Sequence, residues 1–317
     1  MQLNRIIILL AVAGGFALSA SFASSQEEAS KATTQPIYRV PRTVTSAIVN
    51  PAQQEAEEKG SQEGERIAEL PSLPTSKPHP LDRALEIAHN GLEHIHDEIF
   101  DYSAIMVKRE RVDNRLGEME YMRIKIRNGR KVGEQNVPFS VYMKFLKPKA
   151  SAGREVIWVK GQNEGKLIAH ESGLLGIKRF YLDPDGWVAM KGNRYPIYDA
   201  GIENLVVKLI EKATRDRALG LCEVNYVEGA KINKRSCTMI EVTHPVRKEG
   251  LEFHKAKVYI DDEHNIPVRY AAYDWPTTEG GKPQLIEEYT YIKVQLNIGL
   301  SDEDFDPNNP AYDYPAN

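Results

Sequence analysis

At 317 residues, 41% of them hydrophobic, the chain is long enough to hold two domains. Its formal net charge of −4 supplies no basic field for nucleic acid, and Lys and Arg are spread through the strands as on a solvated face. No GxSxG, HExxH, P-loop, dinucleotide fingerprint or CxxC occurs, so the chain reads as a non-enzyme with no catalytic residue, cofactor or metal.

The first 23 residues read as an export signal. Arg5 gives the positive start, Ile6 to Leu18 the apolar core, and Ser21-Phe22-Ala23 the small-x-small cleavage site, leaving Ser24 as the mature N-terminus. An uncleaved signal anchor is the alternative. No Cys lies at the junction to carry a lipid anchor, and no later segment approaches eighteen apolar residues. The expectation is an exported, soluble periplasmic protein with no transmembrane segment after cleavage. Residues 24–79 are rich in Ser, Glu, Gln and Pro and nearly free of aromatics, which reads as a disordered tether. Good helix formers across Gln53–Glu69 are interrupted by two glycines.

The folded domain is expected over 80–300, with 301–317 as a C-terminal tail. Pro80-Leu81-Asp82 opens a helix on which Leu81, Leu85, Ala88, Leu92, Ile95 and Ile99 form one apolar stripe. Strands follow near 102–112, 118–127, 139–146, 155–160, 166–170 and 179–182, each alternating apolar with polar residues. Asp183-Pro184-Asp185-Gly186 is a turn. A second helix over 201–219 ends at Gly220, and strands resume near 221–227, 235–244, 251–261, 267–274 and 285–296. This is an α+β, mainly β chain with about eleven antiparallel strands and two substantial helices.

If Gly229-Ala230 form the tip of a hairpin, Cys222 and Cys237 face each other across it, and export favours a disulfide worth about 3 kcal/mol. Two reduced core thiols are the alternative. His89, Glu93 and His96 share a helix face as a zinc site would require, although surface histidines are common. Asp302, Asp304, Asp306 and Asn308 alternate like a calcium loop, but Pro307 stands where the turn needs Gly and no Glu closes the loop. A helix cap at Ser301 explains that stretch equally well.

Longer segments carry a resemblance. YSAIMVKRERV with GEMEYMRIKIR, VYMKFLKPKASAGREVIWVKGQNEGKLIAHE, VYIDDEHNIPVRYAAYDW and LIEEYTYIKVQLNIGLSDEDFDPNNPAYDY together cover about Leu81 to Tyr314. They are similar to domain of unknown function 1571, whose members resemble the LolA and LolB periplasmic lipoprotein carriers. The resemblance implies an incomplete eleven-stranded antiparallel barrel with a helical lid over an apolar cavity. It also implies binding of acyl chains, without covalent chemistry.

Carried onto this chain, the cavity-facing residues are Met122, Ile124, Ile126, Val141, Met143, Phe145 and Trp158, with ordinary core packing as the alternative for each. The implied partner is a lipid or an acylated protein, with an envelope protein partner as a second expectation. The competing function is a regulatory module on the same fold that holds a partner polypeptide. Arg109, Arg111 and Arg123 fall in the early strands where the carriers have a lid-latching arginine, and none matches it by motif. The long acidic tether is a further departure.

Overall fold

The computed structural model describes residues 78–316 apart from 174–175 and 221. The expected signal (1–23) and nearly all of the expected tether (24–79) lie outside the described residues.

Helix α1 (Asp82–Glu98) opens the domain, and its apolar stripe dictates its seat: Leu81, Ile95 and Ile99 are buried. Fourteen strands follow in chain order among the described residues: β1 (Asp101–Val112), β2 (Arg115–Leu116), β3 (Glu120–Arg127), β4 (Arg130–Val132), β5 (Gln135–Val137), β6 (Ser140–Lys147), β7 (Glu155–Val159), β8 (Leu167–His170) and β9 (Phe180–Leu182), then β10 (Glu223–Ile232), β11 (Arg235–Thr243), β12 (Lys255–Asp261), β13 (Pro267–Asp274) and β14 (Gln284–Leu296). Between β9 and β10 come a one-turn helix α2 (Trp187–Met190) and the long α3 (Ile202–Leu219).

Eleven strands pair in one antiparallel path, β10-β11-β12-β13-β14-β1-β3-β6-β7-β8-β9, with β2 on β1; β4 and β5 form a separate hairpin. The path does not close, so β9 and β10 are its two edges. This is the expected incomplete barrel. Its middle is the pairing of the last strand with the first, Gln295 opposite Ser103 and Glu287 opposite Glu110.

Strand alternation sends one set of side chains toward the helices. Tyr102, Ala104 and Met106 of β1, Met122, Ile124 and Ile126 of β3, and Val141 and Met143 of β6 join Ile95, Ile99, Ile202 and Val206 in the main core. The opposite face is not left wet. Tyr142, Ile157 and Val159 are covered by Phe305 and Tyr312, with Tyr142 and Tyr312 stacked at 4.1 Å between ring centres. Lys125 binds Asp304 at 2.7 Å and Lys144 binds Asp313 at 2.6 Å, so the C-terminal segment straps across the outer face.

The strap uses the residues that alternate like a calcium loop. Asp302 meets Arg127 at 2.7 Å, and Asp304 accepts the Ser301 backbone N–H at 2.9 Å, the reciprocal half of a helix cap.

The hairpin of β10 and β11 corrects the expected disulfide. Its turn is Asn233-Lys234, both at positive φ, as a two-residue hairpin turn requires. Gly229, at φ 71°, instead sits in a bulge between Val227 and Ala230. The register places Ala230 opposite Cys237, and Cys222 lies beyond Glu223, whose partner is Thr243. Both cysteines are free and buried.

Candidate functional site

A cavity of about 380 Å³ lies between the helix-bearing face of the sheet and the chain running from β9 into α3. Its floor follows from strand alternation: Met106, Met122, Met143, Phe145, Val156 and Leu167 all point the same way from five neighbouring strands. Leu182, paired with Leu167, extends the floor, and the roof is Pro184, Val188 and Ala189 with Ile197, Leu205 and Leu209.

Of the residues expected at a cavity, Met122, Met143 and Phe145 border it. Ile124, Ile126 and Val141 share the same face but are wholly buried in the core with Ile202 and Val206. Trp158 also lies off the cavity. Its ring meets Phe139 and Tyr198, and its indole N–H donates to the Gly165 carbonyl at 3.0 Å. Alternation identifies the face; only the path of α3 decides which part of the face is roofed and which is filled.

One wall of the cavity is polar. Glu110 and Glu287, directly opposed on β1 and β14, are both buried. Arg194, in the chain leading to α3, joins them: its backbone N–H donates to Glu110 at 3.1 Å and its Nε to Glu287 at 2.9 Å. Tyr195 Oη donates to Glu287 at 3.2 Å, Tyr289 Oη donates to Glu110, and Lys108 pairs with Glu110 at 3.4 Å and with Glu120 at 3.2 Å. Burial, then the charges of Glu287 and Glu110, push the Tyr289 phenol far up, so it stays a donor. Burial pulls Lys212 down, but Glu287 and its other partners outweigh this and hold it above the ordinary lysine range, charged. The wall is thus a matched set of charges that fixes the roof to the sheet.

Sequence reasoning missed this wall, although its signal was present. Lys108 and Glu110 share parity with Tyr102, Ala104 and Met106, so the inward face of β1 simply turns ionic at its far end. None of the three early-strand arginines joins the wall; Arg194 does. Arg109 instead donates to the Gly117 carbonyl at 3.0 Å, Arg111 to the Leu285 carbonyl at 2.9 Å, and Arg123 is exposed.

The helix-surface histidine set does not converge. His96 pairs with Glu203 of α3 at 2.8 Å, while His89 and Glu93 are exposed. Among the described residues no group of three His, Cys, Asp or Glu could hold a metal ion.

The sheet, the covering helices and the outer strap all fall within residues 99–314 or directly abut them, and that stretch matches the model of a family described as "Protein of unknown function (DUF1571)". This chain is a DUF1571 protein. Among curated proteins, none matches it. Solved structures similar to the DUF1571 chain include a DUF1329 family protein from Desulfovibrio piger, at 11% identity and TM-score 0.35, covering 72% of this chain and 98% of the other. A putative outer membrane lipoprotein-sorting protein domain from Vibrio parahaemolyticus is 15% identical at TM-score 0.34, covering 71% and 96%. A LolA superfamily protein from Nitrosomonas europaea is 9% identical at TM-score 0.29, covering 69% and 97%. Likeness at this level carries no argument about what the DUF1571 protein binds.

Proposed function

We propose that this protein is a non-enzymatic binding protein that houses an apolar chain of a lipid or acylated protein, as carrier or sensor. The supporting observation is the cavity of about 380 Å³ floored by Met106, Met122, Met143 and Phe145. That size suits a small ligand, and flexible thioethers adapt to a chain of variable length and kink. Burial of such a chain is worth about 0.8 kcal/mol per CH₂. The polar wall already matches its own charges, which suits a ligand that brings an uncharged chain rather than a compensating ion. The apolar run behind Arg5 and the cleavage site at Ala23 support placement outside the cytoplasm.

Native mass spectrometry of the protein released from its own cell envelope tests this. A bound lipid mass, displaced by a fluorescent acyl probe, is the expected result. Absence of both the lipid mass and probe displacement overturns it, and a co-purifying peptide mass gives the cavity to a partner polypeptide.

A further inference from the structure

We propose that the segment from Ile177 to Lys191 seats the protein on an anionic bilayer surface, an inference that takes its purpose from the acyl-chain reading of the cavity. Five large apolar side chains stand out of this short stretch: Ile177 is 73% exposed, Trp187 79%, Tyr181 and Val188 48% each, and Phe180 39%. No other stretch among the described residues exposes so many. Trp and Tyr among aliphatics are the composition that settles at the boundary between headgroups and acyl chains.

The charges around the patch have the matching sign. Lys178 and Lys191 are exposed. The two acids of the segment are held by neutral donors: Asp185 accepts the Tyr198 hydroxyl at 2.6 Å, and Asp183 accepts the Asp185 backbone N–H at 3.0 Å. Lys178, Arg179 and Lys191 outnumber Asp183 and Asp185 by one, so the patch carries a small positive excess on a chain whose net charge is −4.

The patch and the cavity are continuous. Leu182, Val188, Ala189 and Lys191 line the cavity, while Tyr181 and Trp187 beside them face outward. An apolar chain leaving a bilayer at this point reaches the cavity without crossing bulk water. A peptide partner fits the same surface poorly. The edge strand β9 is three residues long and α2 is a single turn, so there is neither a ladder to extend nor a groove to fill. No helix among the described residues is long and apolar enough to span a membrane.

Trp187 is its own reporter, because the chain has only three tryptophans and Trp158 is buried. The full chain is mixed with vesicles of phosphatidylcholine and phosphatidylglycerol carrying brominated acyl chains, which quench only tryptophans at acyl depth. Quenching of part of the emission is expected, lost in Trp187→Phe. Lys178→Gln and Lys191→Gln should each raise the vesicle concentration for half-quenching about fivefold. An N-terminal apolar segment holding the chain to the vesicle cannot mimic this, since it contains no Trp. Absence of quenching, or quenching that persists in Trp187→Phe, overturns the proposal. So does self-association abolished by Trp187→Ala, which assigns the patch to a second copy. Acyl-probe uptake from solution, measured in parallel, reports on the cavity reading separately.

Discussion

Glu110 and Glu287 stand directly opposite each other on β1 and β14, and Arg194 reaches both of them. Like charges at facing positions repel, so this pairing holds only because cations from the roof and the strands converge on it. Arg194→Ala should therefore cost about 1–3 kcal/mol in chemical denaturation, since it takes the guanidinium from buried Glu287 and leaves the backbone N–H on Glu110 in place. Arg194→Met combined with Glu287→Gln should recover a good part of that loss. A double variant no more stable than the single would show that Arg194 acts through packing alone.

Gly201 starts α3 at φ 108°, and a Cβ placed there would sit 3.2 Å from the Tyr102 hydroxyl and 3.3 Å from Ile126 Cδ1. That hydroxyl accepts the Ile202 backbone N–H at 2.8 Å, standing in for a helix cap. Gly201→Ala should destabilise the fold by about 1–3 kcal/mol, and Tyr102→Phe by about 1 kcal/mol. Urea midpoints check both.

The cavity and the core are separable by substitution. Ala169 lines the cavity, so Ala169→Phe should block acyl-probe binding while leaving the melting temperature nearly unchanged. Ile126 is wholly buried and off the cavity, so Ile126→Ala should cost about 2–4 kcal/mol and leave probe affinity of the folded protein within about threefold. Equal effects of the two on affinity would mean that the roofed space is not where the probe sits.

Cys222 and Cys237 are held as thiols. Burial, with nearby carboxylates, pushes each up to about 11. Reductant should not change the unfolding midpoint, and a thiol-reactive dye should label the native protein far more slowly than the denatured one. A reductant-dependent midpoint would restore a disulfide.

Acid should act through Asp261. Burial raises this carboxyl, but Arg235 and the backbone N–H groups of His264 and Glu263 outweigh it and hold it below its ordinary value of 3.8. A carboxyl lower in the folded state than in the unfolded one stabilises fully above 3.8, and that contribution disappears as pH falls through the folded value. Asp261→Asn should be less stable at neutral pH and show a shallower loss on acidification, as followed by circular dichroism.

Most of the sheet was legible because its strands alternate strictly, and α1 and α3 because their apolar stripes recur every three to four residues. The failures have a common physical form. Gly229 looked like a turn and is a bulge, since only the strand pairing sets register. Lys108 reads as part of a solvated face although it is buried, with Glu110 and Glu287, because charge alone does not reveal a partner across the sheet. Arg194 lies in a segment with no periodicity, and its role depends on two strands that are remote in sequence. The short β4 and β5 and the single-turn α2 carry too few residues to show a period at all.

The pairing of β14 with β1 has a consequence for how the chain is made. The first and last strands form the middle of the sheet, while β9 and β10, neighbours in sequence, end up at opposite edges. Until Gln284–Leu296 is available, β1 lacks its partner on one side and the two halves of the sheet have nothing to join them. Such long-range closure makes folding slow and late. A growing chain of this topology holds two half-sheets that stay apart until its final strand is free, so the sheet is completed all at once by Gln284–Leu296.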